Sequence, residues 1–268
     1  MLKNLTIGQH YPVESRIHDL DPRVKIVITM VFIVSLFLIN QFLTYIPVLI
    51  FLGTVVTSSK VPFKMVIRGL KPILIIIGIT FFINLFMTPG EVLYTLGPLD
   101  VTREGIRQAG FMALRLILLI TGTSMLTLTT SPILLTDGIE SLLNPFKKIG
   151  LPAHELAMMM TIALRFIPTL MEETEKIMKA QKARGADFES GNIINRAKSL
   201  VPLLVPLFVS AFRRADELAM AMEARCYRGG EHRTRMRQLL IGRSDYLAML
   251  ITAFYMAIII GMRFVDYW

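Results

Sequence analysis

Two segments of the chain share a short sequence that ends in an arginine and a small residue. Residues 180–185 read Ala-Gln-Lys-Ala-Arg-Gly, and residues 221–226 read Ala-Met-Glu-Ala-Arg-Cys. Nine positions before the arginine, each copy also has an acidic residue, Glu175 or Asp216. A guanidinium group is planar with five donors, so each arginine can bind carboxylates or backbone carbonyls of another surface.

Both segments suit the last turn of a helix. Their alanines keep one helix face thin, and an arginine near the C-terminus is favoured by the negative end of the helix dipole. In the first copy, Gly185 can adopt the left-handed conformation that ends a helix. Two interpretations remain open, in which each arginine either caps its own carbonyls or docks on another protein, and the repetition favours docking.

The chain has the composition of a membrane protein. Hydrophobic residues make up 53% of its 268 residues, and its net charge is +9. The basic residues cluster in particular connections between apolar runs, which indicates membrane topology rather than nucleic-acid binding. A single cysteine excludes an internal disulfide and a cysteine-based metal cluster. We therefore predict an all-α integral membrane protein with no nucleic-acid partner.

Five apolar runs predict about five transmembrane helices. They cover residues 22–40, 43–58, 72–87, a fourth helix that ends in the hydroxyl-rich 121–131, and 245–262. Several runs are shorter than the ~20 residues of a standard span. Asp21, Thr102 and Ser244 are placed to cap the first, fourth and fifth helices.

Basic residues assign the two sides of the membrane. They crowd the connection after the second run and the segment before the fifth, whereas segments 40–44 and 88–102 contain none. By the positive-inside rule the N-terminus is cytoplasmic, and 88–102 is an outside loop. The basic residues concerned are Lys60, Lys64, Arg68, Lys71, Arg233, Arg235, Arg237 and Arg243.

The middle of the chain contains two further apolar segments, 151–170 and 200–212. Two more spans there would place the basic residues between 176 and 198 outside, against the trend of the rest of the chain. We therefore predict two long amphipathic cytoplasmic coupling helices that cross near the membrane interface. The chain then divides into transmembrane helices in 1–130, a coupling-helix region in 131–237 and a last transmembrane helix in 238–268.

Arg115 lies within the otherwise apolar fourth run. A charge near mid-membrane costs about 3 kcal/mol on insertion scales, so its side chain should face protein or water and have a partner. The alternative is an arginine that snorkels to a nearby headgroup layer.

The sequence lacks the common motifs of catalysis and metal binding. It has no Gly-x-x-x-x-Gly-Lys-Ser/Thr phosphate loop, no His-Glu-x-x-His and no paired cysteines, and its four histidines lack metal-ligand spacing. A membrane phosphoalcohol transferase would need aspartates clustered around an Ala-Arg phrase, and neither copy has them. We predict no catalytic residue, no metal and no cofactor bound by this chain.

Other segments are specific enough to suggest a family. Residues 20–25 read Leu-Asp-Pro-Arg-Val-Lys, 129–132 read Thr-Thr-Ser-Pro, and 164–168 read Leu-Arg-Phe-Ile-Pro. With the two Ala-Arg segments, they make the chain resemble the transmembrane T components of energy-coupling factor (ECF) transporters, the CbiQ/EcfT-like family. The resemblance covers essentially the whole chain and implies a multi-pass, non-catalytic protein of the bacterial cell membrane.

The resemblance also implies the partners. Two ABC-type ATPase subunits, like EcfA and EcfA', bind ATP-Mg, and a separate membrane S component captures a vitamin, another micronutrient or a metal ion. The implied ATPase-docking residues are Ala183, Arg184, Gly185, Ala224, Arg225 and Cys226. Cys226 departs from the glycine of the family and resists a left-handed turn, so we expect that helix to continue to Arg228 and end at Gly229-Gly230.

Methionines are frequent on the first of the two long helices. Their flexible, polarizable side chains can repack against differently shaped surfaces, which suits a seat for more than one S component. We place this seat at Leu156, Met158, Met159, Met160 and Leu164, and the alternative is that these residues fill the crossing of the two helices. For the whole chain, the alternative function is a conventional ABC importer permease that forms its own translocation path.

Overall fold

The computed structural model describes residues 10–96, 99–186, 188, 193–229 and 239–265. These residues form nine α-helices and one β-hairpin, so the prediction of an all-α fold is confirmed apart from the hairpin. The helices are α1 (Pro22–Leu38), α2 (Tyr45–Ser59), α3 (Phe63–Leu70), α4 (Leu74–Met87), α5 (Arg103–Thr129), α6 (Pro132–Leu143), α7 (Ala153–Ala183), α8 (Ile193–Ala224) and α9 (Arg243–Val265). The strands are β1 (Val92–Leu96) and β2 (Leu99–Thr102).

The described residues divide into two compact units. The membrane unit comprises 10–139 and 239–265, and the coupling unit comprises the described part of 140–229. The predicted division at 130/131 and 237/238 stays a prediction. Three of the predicted basic residues, Arg233, Arg235 and Arg237, lie outside the described residues.

Three segments of the described chain are long and apolar enough to cross a membrane. They are Phe63–Met87, Arg103–Thr129 and Arg243–Phe264. Helices α1 and α2 are also apolar but have only 17 and 15 residues. Along α4 the apolar side chains are exposed on several sides, as suits a helix in lipid. The structure thus contains the five helical runs that the sequence predicts for the membrane.

Two connections differ from the sequence predictions. The basic connection after α2 is mostly helix, because α3 covers it and a 3₁₀ turn (Lys71–Ile73) leads directly into α4. The predicted outside loop 88–102 contains the antiparallel hairpin of β1 and β2, with Thr95 opposite Asp100. Thr102 caps α5 as predicted, because its hydroxyl accepts a hydrogen bond from the Gly105 amide at 2.9 Å.

The predicted cap of the last helix is wrong. Helix α9 begins at Arg243, which puts Ser244 inside the first turn. The cap is made instead by Asp245, whose carboxylate accepts a hydrogen bond from the Gly242 amide at 2.8 Å. An acidic side chain at the third helical position can reach back to the amide of the residue before the helix in this way.

The same carboxylate joins the N-terminal ends of the first and last helices of the membrane unit. Its other oxygen accepts a hydrogen bond from the Asp21 amide at 2.7 Å, which ties the start of α9 to the start of α1. The Asp21 side chain caps α1 as predicted, by accepting from the Arg23 amide at 2.9 Å. Burial raises the pKa of Asp21, but hydrogen bonds from Arg23 outweigh burial and hold that pKa below its ordinary value.

Arg115 has a partner at the end of α1. Its Nη2 donates a hydrogen bond to the carbonyl of Ile39, the C-cap residue, at 2.8 Å. Its guanidinium carbon lies 4.8 Å from the ring centroid of Phe111. The side chain therefore faces protein, and it satisfies a carbonyl that the helix itself leaves unpaired.

We expect Arg115→Gln to destabilise the membrane unit, because a charged hydrogen bond and a cation–π contact are both lost. The expected loss in the free energy of unfolding is about 2 kcal/mol. Thermal unfolding of the purified chain in detergent measures it. Arg107→Gln is the matched control, since Arg107 is an exposed arginine on the same helix. Equal effects of the two changes would contradict the role given to Arg115.

Candidate functional site

The two Ala-Arg segments end α7 and α8, which pair as an antiparallel helical hairpin. Three side-chain contacts show the antiparallel direction, because later residues of one helix contact earlier residues of the other. They are Gln181 Nε2 to the Pro202 carbonyl at 3.4 Å, Arg214 Nη2 to Glu173 Oε2 at 3.1 Å, and Tyr227 Oη with His154 Nε2 at 3.4 Å. The two long helices were therefore predicted correctly, whereas their crossing near the membrane interface stays a prediction.

One ion pair of the hairpin joins equivalent positions of the repeat, Glu173 and Arg214. Glu173 lies eleven residues before Arg184, and Arg214 lies eleven residues before Arg225. These side chains are partly exposed, so their ion pair contributes at most about 1 kcal/mol. Its structural consequence is the register, because it pairs corresponding points of the two copies.

One contact follows from a proline in α8. Pro206 has no amide hydrogen, so the carbonyl of Pro202, four residues earlier, loses its usual partner within the helix. The side chain of Gln181 donates to that carbonyl. The contact joins the last turn of α7 to the first part of α8.

Antiparallel pairing puts the two arginines at opposite ends of the hairpin. The contact of Glu173 with Arg214 lies eleven residues from each arginine, so about 22 residues separate the two arginines along the hairpin, or about 33 Å at 1.5 Å per residue. Both Arg184 and Arg225 are exposed, as are the alanines that precede them. The structure therefore does not bring the six predicted docking residues into one site; it presents them as two separate ends.

The first end is a Schellman motif. The Gly185 amide donates to the Lys182 carbonyl at 3.0 Å, and the Ala186 amide donates to the Gln181 carbonyl at 3.0 Å. Gly185 has φ +87°, the left-handed conformation that the sequence predicts for it. Arg184 is the C-cap residue and leads out of the helix.

The second end has the same geometry, so the predicted extension to Arg228 is wrong. Helix α8 ends at Ala224, and Cys226 takes the left-handed conformation with φ +54°. The Cys226 and Tyr227 amides donate to the carbonyls of Glu223 and Met222 at 2.8 and 3.0 Å. These bonds satisfy the carbonyls that the helix leaves unpaired, which offsets a left-handed cost of about 1 kcal/mol. Gly229 is also left-handed, whereas Gly230 lies outside the described residues.

A polar chain holds the second end in place. Glu140 Oε1 lies 3.0 Å from His154 Nδ1, and His154 Nε2 lies 3.4 Å from the hydroxyl of Tyr227. The carboxylate favours a proton on Nδ1, which leaves Nε2 to accept from the tyrosine. Sequence reasoning missed this role of His154, because its partner is 73 residues away and no local pattern connects them.

Comparison with known proteins gives the family. The family model described as "Cobalt transport protein", CbiQ, matches residues 14–236. The chain belongs to the CbiQ/EcfT family. A relative from Thermosediminibacter oceani, named energy-coupling factor transporter transmembrane protein EcfT, is 62% identical over 264 residues, which are 98% of this chain and 100% of the relative. A protein of the same name from Bacillus subtilis is 52% identical over 241 residues, 90% of this chain and 91% of its own length.

The EcfT relationship makes the chain a transmembrane component of a transporter. Both Ala-Arg ends and the polar chain of Glu140, His154 and Tyr227 lie within the range of the family match. The resemblance inferred from the sequence is thereby confirmed at the level of the family.

The residues predicted as an S-component seat differ in their solvent exposure. Leu156, Met159 and Met160 are exposed, whereas Met158 and Leu164 are half-buried. A longer exposed apolar stripe lies on α8, with helical spacing over three turns; the apolar segment 200–212 was evident in the sequence but was assigned no part in the seat. It consists of Val201, Leu204, Val205, Phe208, Val209 and Phe212.

The left-handed geometry at the C-terminal ends of α7 and α8 predicts opposite effects of a reciprocal exchange between Gly185 and Cys226. Cys226→Gly should stabilise the second end by up to about 1 kcal/mol, and Gly185→Cys should destabilise the first by a similar amount. The Gly185→Cys change meets no steric obstacle, because a Cβ at this position would contact nothing within 4 Å. Hydrogen exchange at the amides of residues 185–186 and 226–227 measures local opening. Slower exchange in Gly185→Cys, or faster exchange in Cys226→Gly, would contradict this geometry.

Proposed function

We propose that the chain is the T component of an ECF-type ABC importer. In this role it couples ATP hydrolysis by two cytoplasmic ATPase subunits to the uptake of a micronutrient or metal ion held by a separate S component. The observation that carries the proposal is the pair of matched arginine ends on one rigid hairpin. The family relationship supports it, because relatives carry the name of an energy-coupling factor transporter protein.

The backbone geometry favours docking of Arg184 and Arg225 on another protein over capping of their own helices. At both ends the last carbonyls already accept hydrogen bonds from backbone amides. Among the described residues, neither the Arg184 nor the Arg225 guanidinium has a side-chain hydrogen bond or an ion pair. Ten N–H donors, five on each arginine, therefore remain for carboxylates and carbonyls of another protein.

The separation of the ends supports two docking sites. A span of about 33 Å is too long for one small groove to receive both arginines. We assign one ATPase subunit to Arg184 and a second to Arg225. ATP-Mg binds to these subunits in this proposal, and the T component itself contributes no catalytic group and no cofactor.

The same hairpin offers a seat for the S component. The α8 stripe presents six large apolar side chains, and Leu156, Met159 and Met160 add apolar surface on α7. We propose that the S component covers part of this surface. Because the stripe and the arginine ends belong to the same two helices, movement of the ATPases would displace the seat as one piece.

The proposal includes an orientation in the membrane. The T component crosses the bacterial cell membrane several times, its N-terminus is cytoplasmic, and α7 and α8 lie at the cytoplasmic interface. The basic residues of α3 and of the α7 C-terminal half are consistent with this side.

Arg184→Ala and Arg225→Ala should each weaken ATPase docking by about 2 to 5 kcal/mol while leaving membrane insertion intact. The double change should be worse than either alone. Retention of the ATPase subunits on the purified chain and ATP-driven uptake measure the effect.

Arg228→Ala provides the control, because Arg228 is exposed and only three residues beyond Arg225. Full uptake by both single variants, or an equal loss with Arg228→Ala, would contradict docking through these arginines. A complex that contains two copies of this chain and no separate S component would instead identify a conventional importer permease.

A further inference from the structure

The membrane unit contains a cavity of about 200 Å³ between α1, α2, α5 and α9. Its volume exceeds the ~150 Å³ of an apolar cavity that admits a benzene ring. The walls are mainly apolar and include Phe32, Phe51, Leu52 and Met125. The cavity is partly open, and among its lining residues Thr54 of α2 and Ile251 of α9 are exposed.

A buried ammonium group lines one end of this cavity. Lys25 is 6% exposed, and its Nζ donates to the carbonyls of His18 and Thr129 at 2.9 and 3.1 Å. Among the described residues it has no ion-pair partner within 4 Å, and three carboxylates interact with its charge from further away, those of Asp19, Asp21 and Asp245. An ammonium has three N–H donors, and these two bonds leave one for a further acceptor.

The charge and the apolar walls are arranged along the helix axis. Lys25 lies in the first turn of α1, and Phe32 follows seven residues later, about 10 Å further along the helix. The cavity therefore has a cationic end near the start of a membrane helix and an apolar body deeper in the helical unit. A phospholipid has the same order of groups, with an anionic phosphate at the membrane surface and acyl chains below it.

We propose that this cavity binds an anionic phospholipid. Its phosphate accepts the remaining hydrogen bond of Lys25 Nζ, and one acyl chain enters between Phe32, Phe51 and Met125. The lipid reaches the cavity through the exposed edge between α2 and α9. This binding site is independent of ATPase docking, and it would hold a structural lipid in the transporter.

The test uses the full-length chain in nanodiscs and in mild detergent. In an equal mixture of phosphatidylglycerol and phosphatidylcholine, native mass spectrometry should find about one retained phosphatidylglycerol per chain. Retention of neither lipid, or equal retention of both, overturns the proposal without any variant.

Two substitutions on α9 test whether the lipid binds in the cavity or elsewhere on the helix surface. Ala248 lines the cavity on α9, whereas Ala253 is exposed on the same helix and does not line it. Ala248→Phe should reduce phosphatidylglycerol retention at least tenfold, and Ala253→Phe should leave it unchanged. Equal retention in the two variants overturns the assignment of the lipid to this cavity.

Charge is tested at Lys25. Lys25→Met should abolish the preference for phosphatidylglycerol over phosphatidylcholine, and Lys25→Arg should keep it. A preference that survives in Lys25→Met overturns the role of the ammonium. Should Lys25→Met fail to fold, the comparison of Ala248→Phe with Ala253→Phe and the lipid preference of the unaltered chain still decide the proposal.

Discussion

The structure depends on how the ends of its helices satisfy their backbone hydrogen bonds. Lipid offers no partner for a free amide or carbonyl, and each unsatisfied group costs several kcal/mol there. In the membrane unit, charged side chains that are buried or half-buried provide these hydrogen bonds. Arg115 donates to the carbonyl that ends α1, Lys25 donates to a carbonyl at the end of α5, and Asp245 accepts from two amides at the starts of α1 and α9.

The coupling unit satisfies its helix ends differently, and that difference supports its proposed function. Both α7 and α8 end in Schellman motifs, in which backbone amides satisfy the last carbonyls. Arg184 and Arg225 are consequently not required for capping. The same residue type thus pairs with a backbone carbonyl at position 115 and is exposed at positions 184 and 225.

Features set by local sequence rules were predictable. Asp21 and Thr102 cap their helices as expected, Gly185 is left-handed, and five apolar helical runs are present. Local rules failed where a distant residue decides the outcome. Ser244 fits a cap by its type, but the carboxylate of Asp245 also binds the amide of Asp21, 224 residues away, and this fixes the start of α9.

Cys226 shows a different limit of local rules. Residue preference argues against a left-handed cysteine, yet two backbone hydrogen bonds and the contact of Tyr227 with His154 hold that geometry. The repeat predicted the backbone conformation at Cys226 better than residue preference did, because the second copy has the same helix end as the first although cysteine replaces glycine. The partner of Arg115 and the α8 stripe needed the fold, since both depend on which helices lie side by side.

In the proposed importer, the two helix ends contact two different ATPase subunits. Lys182 and Glu223 are equivalent, exposed positions, each two residues before its arginine. A photo-reactive amino acid placed at either position, in the assembled complex with differently tagged ATPases, identifies the neighbour directly. We expect position 182 to cross-link to one ATPase subunit and position 223 to the other. Cross-linking of both positions to the same subunit, or of neither to an ATPase, would contradict it.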